Sequence, residues 1–285
     1  MEKNENTKII EMIDKLVKEN YIKTDWFDNN IKDLLKQEDL LKCINSCKSP
    51  RKSKEDGEIS EDDLKLIFKA FSLFKPDETR VLILGQDPYP DGKGTGFSFL
   101  LNQKVTGRDS LYYILKAIKG NKNFQPKEIE KQDNEKILKW VKDNKILLLN
   151  TALTHENPNE DTKKTHRKAW KDFIDLVIKK LLEKNNALVI FVWGNDARDC
   201  IFRNIKIQDK SKRKKELKVD ISDNIKMFYC YHPTPINENN PKIDPNLKCS
   251  EAARNQFKEC NENLKNNNEI EIDWAGLLNI YTIQK

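Results

Sequence analysis

The apolar residues of this 285-residue chain follow two different periods. In the first part they recur every three or four positions, which is typical of amphipathic helices. One stripe comprises Ile9, Ile10, Ile13, Leu16 and Val17, and a second comprises Ile31, Leu34, Leu35, Leu40 and Leu41. We therefore expect two helices before about residue 48, and a third helix whose start is marked by Ser60 with Asp63 three residues later.

From about residue 80, short apolar runs rich in β-branched residues alternate with helical patterns. The runs are 81–84, 146–149, 187–193 and 227–231, and the helical patterns are 109–119, 133–143, 165–184, 195–203 and 250–265. Continuous apolar strands that alternate with helices are typical of a parallel sheet covered on both faces. The predicted fold class is α/β, a three-layer α/β/α architecture with a central four-stranded, mostly parallel sheet.

The segment 48–60 between these two parts is strongly charged and has no apolar periodicity. Such a segment favours a mobile linker or loop. We therefore expect an N-terminal helical extension with a charged linker over residues 1–58, and one main domain over residues 59–285.

Polar residues follow each predicted strand. The first strand continues into GQDPYP, the second into NTALTH, the third into GND and the fourth into HPTP. The carboxyl ends of parallel strands lie at one edge of the sheet, where such folds bind their ligands. Asp87, Asn150 and His232 are therefore expected to converge.

These three side chains suit hydrolysis beside a planar, amide-like group. A carboxylate can orient water or stabilise a cationic transition state. An asparagine can bind the edge of a pyrimidine through its adjacent donor and acceptor, and a histidine can donate to a leaving oxygen that gains charge. The loops lack a Ser or Cys nucleophile with a partner base and a GxxxxGK[ST] motif, so acyl transfer and nucleoside triphosphate hydrolysis are disfavoured.

Composition changes this picture only slightly. Lysine and arginine number 52 against 46 acidic residues, an excess of six that only weakly supports an anionic partner. Glycine is more informative, because five of the nine glycines lie within 85–107, where the backbone can approach a ligand closely. The six cysteines form no CxxC pair, so we expect reduced thiols and no metal site. Without a long apolar run or a signal-peptide pattern, no membrane association and a cytoplasmic or nuclear location are expected.

A series of short motifs is spread along the chain from the first predicted strand onward. LILGQDPYP, GTGFSF, LLLNTALT, THRKAW, VIFVWGN and HPTP, in this order and at this spacing, resemble family 1 uracil-DNA glycosylases. The resemblance extends over about residues 62–280, and its most specific part is GQDPY combined with a distal HP[ST]P. It implies an enzyme that flips uracil out of DNA, hydrolyses its N-glycosidic bond and leaves an abasic site, which initiates base excision repair. It implies no cofactor.

The resemblance also implies roles for the matching residues. Asp87 is expected to orient the attacking water, and His232 to support developing charge at uracil O2. The uracil pocket is expected to comprise Gln86, Tyr89, Phe99 and Asn150. Tyr89 would exclude the thymine methyl group, Phe99 would stack on the base, and Asn150 would bind its Watson–Crick edge. Gln86 would supply backbone and oxyanion-side contacts to the base.

A second group of matching residues is implied to contact DNA. It comprises Pro88, Ser110, Asn195, Thr234 and Ile236. Ser110 and Thr234 are expected to bind phosphates, together with neighbouring backbone amides. Ile236 lies where the family inserts an apolar wedge into the duplex.

The chain departs from the family pattern at several places. Pro90 replaces the histidine that ends the first motif, and we expect Pro90→His to raise the rate. The proline-rich DNA-facing loop is replaced by residues 105–109, where Arg108 is a candidate phosphate contact, and Asn195 replaces a serine. The basic cluster at 210–215 has two interpretations, a solvated loop or a DNA-backbone contact.

Two alternative functions stay open. The altered motif end and the 105–109 loop would also suit a glycosylase of the same fold that acts on another modified base. The second alternative is a catalytically weak protein that binds DNA or a partner. The expected partner is single- or double-stranded DNA that contains uracil, a protein inhibitor or replication partner is left open, and a monomer is expected.

Overall fold

A four-stranded parallel sheet forms the centre of the computed structural model, which describes residues 4–50, 58–89, 94–120, 133–155, 160–185, 187–205 and 225–281. The strands are β1 (Val81–Gly85), β2 (Ile146–Asn150), β3 (Leu188–Trp193) and β4 (Ile225–Cys230). Their order is β2-β1-β3-β4, and all three neighbouring pairs are parallel. The predicted sheet is therefore confirmed, with every strand within two residues of its expected bounds.

Helices cover both faces of the sheet. They are α1 (Glu5–Lys18), α2 (Asn29–Leu34), α3 (Glu38–Ser46), α4 (Glu61–Ile67), α5 (Ser110–Lys119), α6 (Asp133–Asn144), α7 (Glu160–Lys184), α8 (Asn195–Asn204), α9 (Pro235–Glu238), α10 (Cys249–Asn266) and α11 (Trp274–Tyr281). Helix α10 packs on α5 and β4, while α7 packs on α8, α2 and α3. Every residue of β1, β2 and β3 is buried, as two covering layers require. The three-layer α/β/α architecture is confirmed.

The start of α4 is fixed by side chains, as predicted. The Ser60 hydroxyl oxygen accepts a hydrogen bond from the Asp63 amide at 3.2 Å, and the Asp63 carboxylate accepts one from the Ser60 amide at 3.0 Å. This reciprocal pair satisfies two amides that the first turn of a helix leaves without partners.

The expectation of two helices before residue 48 is wrong, because the described chain forms three. The second apolar stripe spans both α2 and α3. Between them the amides of Lys36 and Gln37 donate to carbonyls three residues earlier and close a tight turn. Periodicity alone does not distinguish one continuous helix from two short ones that bury the same stripe.

The N-terminal helices share one hydrophobic core with the sheet region. The ring of Phe27 lies 5.4 Å from that of Phe68 and 5.7 Å from that of Phe173 on α7. Trp26 is fully buried and donates from Nε1 to the Phe74 carbonyl at 2.7 Å. The described helices of the N-terminal extension therefore pack directly on the rest of the fold. The division of the chain at residue 58 stays a prediction.

Residues 48–50 form a loop, as expected of the 48–60 segment, but Ser49 and Pro50 within it are buried. Ser49 forms a β-bridge with His155, which lies in the loop after β2. The bridge satisfies the backbone amide and carbonyl of Ser49, so this residue can be buried although the sequence around it is charged. Residues 51–57 of the expected linker lie outside the described part of the chain.

Two further observations concern the whole described chain. All six cysteines are buried. None of the helices in the described ranges is both long and apolar enough to cross a membrane.

Candidate active site

The loops after the four strands meet at one edge of the sheet. Gly85 at the end of β1 is the register partner of Asn150 at the end of β2. The loop backbone at Gln86 is fixed there, because its carbonyl accepts hydrogen bonds from the Ala152 amide at 3.1 Å and from the Thr151 hydroxyl at 2.8 Å. On the other side, Trp193 at the end of β3 pairs with Cys230 at the end of β4. The predicted convergence of the four segments is confirmed.

A cavity lies at this edge. The predicted site residues that line it are Asp87, Pro88, Tyr89, Phe99 and Asn150. Apolar groups from Leu148 and Leu153 add to its walls, and so does Pro50 from the N-terminal segment. The cavity therefore combines one carboxylate and one carboxamide with aromatic and aliphatic surfaces, which suits a small planar base.

Asn150 occupies a space that exists because residue 85 is glycine. A Cβ atom at Gly85 would overlap Oδ1 of Asn150 and Cβ of Ser98, and it would lie 3.2 Å from the Phe99 ring. Asn150 is itself buried. The first glycine of the GQDPY motif thus permits both the carboxamide and the aromatic wall to approach the strand end.

Phe99 is held in an unusual backbone conformation. Its φ angle is +64°, which is uncommon for residues other than glycine and is found at functional sites. Its ring centroid lies 5.5 Å from that of Trp193 and 5.6 Å from that of His232. The Phe99 ring therefore contacts both a buried tryptophan and the imidazole, and it also lines the cavity.

Tyr89 is half-buried and tied to its surroundings at both ends. Its carbonyl accepts a hydrogen bond from the Ser49 hydroxyl at 2.5 Å, and its own hydroxyl donates to the Phe99 carbonyl at 3.4 Å. Burial raises the pKa of the phenol, so the ring stays neutral. Ser110, an expected phosphate ligand, lies beside this phenol at the start of α5.

His232 is partly buried beside the Phe99 ring. Burial lowers the pKa of its imidazole to about 4, so it is neutral at neutral pH. Gly194, with φ +98°, lets the chain pass close by, because a Cβ atom there would lie 2.8 Å from Cβ of His232. A neutral imidazole can donate one hydrogen bond to an oxygen in the cavity.

Two further charged residues, Arg167 and Asp196, lie near Asp87. The sequence did not identify either of them as a site residue. Arg167 of α7 contacts the Asp87 carboxylate at 3.4 Å through Nη2 and the Asp196 carboxylate at 3.3 Å through Nη1. Both residues lie within motifs that the sequence displays, THRKAW and GND. The motifs alone, however, give no sign that α7 brings its arginine over the end of β1.

The remaining predicted DNA contacts lie on the same edge. Asn195 is exposed at the start of α8, directly after β3. Thr234 caps α9, where its hydroxyl oxygen accepts from the Asn237 amide at 3.3 Å. Ile236 is 79% exposed, so its apolar side chain is accessible at the mouth of the site.

Two predicted features lie outside the described residues. They are Pro90, at the end of the first motif, and the basic cluster 210–215. Arg108 of the 105–109 loop is described and exposed.

Comparisons with known proteins agree with this geometry. The sequence signature of the Uracil DNA glycosylase superfamily matches residues 71–265. A uracil-DNA glycosylase from Fusobacterium nucleatum is 30% identical over 210 residues, which are 73% of this chain and 78% of that protein. Uracil-DNA glycosylase 1 from Listeria innocua is 29% identical over 235 residues, which are 81% of this chain and 90% of that protein.

A solved structure shows the same fold. The crystal structure of a mimivirus UNG variant in complex with UGI matches with a TM-score of 0.56 at 21% identity and covers 92% of this chain and 86% of that one. The parallel sheet flanked by helices agrees with the fold of that protein. The chain belongs to the Uracil DNA glycosylase superfamily.

Proposed function

We propose that this protein hydrolyses the N-glycosidic bond of uracil in DNA and leaves an abasic site. The observation that carries the proposal is one cavity lined by Asp87, Tyr89, Phe99 and Asn150 and flanked by His232, in a member of this superfamily. A base within a duplex cannot reach such a cavity, so the nucleotide is flipped out of the stack.

Base recognition follows from the walls of the cavity. The Asn150 carboxamide offers a donor and an acceptor to the Watson–Crick edge of uracil. The Phe99 ring offers a stacking surface. The Tyr89 ring blocks the space that a methyl group on C5 requires, so thymine is excluded by size.

The chemical step uses Asp87 and His232. As the bond between C1′ and N1 breaks, its electron pair moves onto the uracil ring, and neutral His232 donates a hydrogen bond to O2 where charge collects. Asp87 stabilises the cationic sugar and orients the water that bonds to C1′. The water passes one proton to the Asp87 carboxylate as it bonds to C1′, and the departing uracil anion takes up one proton at N1, so the products are neutral uracil and an abasic site.

DNA binding involves the residues around the cavity mouth. We infer that Pro88, Ser110, Asn195 and Thr234 contact the backbone and that Ile236 fills the gap left by the flipped base. The enzyme would act in the cytoplasm or nucleus, where its substrate is. A protein inhibitor is a further candidate partner, since the mimivirus UNG variant is bound to UGI. Residues 59–285 would form the catalytic domain and 1–58 its extension.

One assay tests the function. The protein is incubated with oligonucleotides that contain uracil, thymine or hydroxymethylcytosine, and alkali-labile abasic sites are measured. We expect cleavage at uracil alone, abolished by Asp87→Asn and retained by the matched control Asp199→Asn on α8, whose carboxylate pairs with Arg198. Cleavage at hydroxymethylcytosine in preference to uracil would support the other-base alternative, and binding without cleavage would support the binding-protein alternative.

A further inference from the structure

The guanidinium group of Arg167 bridges two carboxylates at the catalytic edge. Nη2 lies 3.4 Å from Oδ2 of Asp87, and Nη1 lies 3.3 Å from Oδ1 of Asp196. The Asp87 and Arg167 side chains are 19% and 29% exposed, so water screens this pair less than an exposed surface pair. The contact reaches Asp87 from α7, which is distant in sequence.

The position of Arg167 is determined by its neighbours on α7. His166 is buried, and its Nδ1 lies 2.7 Å from the Thr154 hydroxyl. Trp170 donates from Nε1 to the same hydroxyl oxygen at 2.6 Å. Thr154 belongs to the loop that follows Asn150. This part of α7 is therefore held against the loop that follows Asn150, and Arg167 lies between the two anchoring residues His166 and Trp170.

The contacts of the two terminal nitrogens support a fixed orientation of the Arg167 guanidinium group. Its Nε atom is buried and has no hydrogen-bond partner among the described residues. The two terminal nitrogens hold one carboxylate each. Two carboxylates against one guanidinium leave one negative charge on this trio, so Asp87 still attracts a cationic sugar.

We propose that Arg167 is a positioning residue that holds Oδ2 of Asp87 and thereby presents Oδ1 to the attacking water, while Asp196 fixes the other end of the guanidinium. The inference rests on the proposed function. The planar guanidinium suits this task, because it can hold two carboxylates in set directions, whereas a lysine ammonium is a point charge on a flexible stem.

The test compares Arg167→Gln with the matched control Arg198→Gln. Arg198 pairs with Asp199 on α8, and its side chain is 26% exposed, close to that of Arg167. Single-turnover release of uracil from a single-stranded oligonucleotide is measured for both variants and for Arg167→Lys. We expect Arg167→Gln to slow release by about 10- to 100-fold, Arg167→Lys to recover part of the loss, and Arg198→Gln to match the unmodified protein. Thermal unfolding checks that each variant is folded.

A second measurement separates positioning from phosphate binding. In an Asp87→Asn background, Arg167→Gln is expected to cause no change in affinity for the uracil oligonucleotide. Equal rates for Arg167→Gln and Arg198→Gln would overturn the inference, and so would weakened DNA affinity with an unchanged single-turnover rate. If the unmodified protein releases no uracil from any substrate, the proposed function itself fails, which is distinguishable from failure of the Arg167 variant alone.

Discussion

Gly85 and Asn150 are register partners across β1 and β2, and the carboxamide of Asn150 fills the space where a side chain at residue 85 would lie. The glycine that opens the GQDPY motif therefore leaves room for a side chain of the adjacent strand, β2. A Cβ atom at Gly85 would also meet Ser98 and Phe99. A single methyl group there therefore displaces both the Asn150 carboxamide and the Phe99 ring.

We expect Gly85→Ala to slow uracil release by about 100-fold, since misplacement of a binding group by about 1 Å has costs of that order. The substitution should also lower the free energy of unfolding by about 1–3 kcal/mol, as overpacking does. Single-turnover kinetics and denaturant unfolding measure the two effects. Gly107→Ala is the matched control for stability, because a Cβ atom there has no neighbour within 4 Å. A Gly85→Ala protein with native rate and stability would contradict this packing argument.

The low pKa of His232 predicts a pH dependence of stability. Folding favours the neutral imidazole, because its pKa is about 4 in the folded protein against 6.5 for the ordinary group. Above pH 6.5 both states are neutral, and the contribution is fully present. As the pH falls from 6.5 to about 4, the unfolded state takes up the proton first, and stability is lost by at most about 1.4 kcal/mol per pH unit.

To isolate this contribution, the free energy of unfolding is measured at pH 7.5 and at pH 5 for the unmodified protein and for the His232→Asn variant. The unmodified protein should lose more unfolding free energy on acidification than the variant does. An NMR titration should show no protonation of His232 near pH 6.5, with His155 and His166 as the other two imidazoles to be assigned. A midpoint near 6.5 for His232 would contradict the prediction.

Much of this site could be predicted from the sequence because parallel strands bring their ends together. The strands were recognisable as continuous apolar runs, and their order along the chain was enough to place Asp87, Asn150 and His232 at one edge. That step needed no knowledge of side-chain packing. Contacts that cross between layers were not predictable in this way. Arg167 approaches from α7 and Ser49 from the N-terminal segment, and no local pattern encodes either contact.

The contact between Ser49 of the N-terminal segment and the loop after β1 can be tested by substitution. It is fully buried, its amide donates to the His155 carbonyl at 2.9 Å, and its hydroxyl donates to the Tyr89 carbonyl. Ser49→Ala leaves that carbonyl without its side-chain donor, which should lower the free energy of unfolding by about 1–3 kcal/mol. It should also slow uracil release, because Tyr89 loses an anchor. Ser46→Ala, at the exposed end of α3, is the control. Equal stability of the two variants would show that the Ser49 hydroxyl is dispensable.

Helix α9, which carries Ile236, is anchored to α10. The buried carboxylate of Glu238 accepts a hydrogen bond from the Ser250 hydroxyl at 2.5 Å and from the Ser250 amide at 3.2 Å. That amide belongs to the first turn of α10, where a carboxylate also interacts favourably with the helix dipole. Glu238 therefore fixes α9 to α10, and the exposed Ile236 two residues earlier projects from a rigid support.

A wedge on a rigid support should matter only when a base must be removed from a duplex, because a single strand needs no unpairing. We expect Ile236→Ala to slow uracil release from double-stranded DNA by about tenfold, since unstacking costs a few kcal/mol, and to leave release from single strands within about twofold. Glu238→Ala should reproduce part of this selective loss, whereas Glu251→Ala, at an exposed position of α10, should not. The measured quantity is the ratio of single-turnover rates on double- and single-stranded uracil oligonucleotides. If Ile236→Ala lowers both rates equally, the side chain acts on the pocket rather than on the duplex, and its assignment as a wedge is wrong.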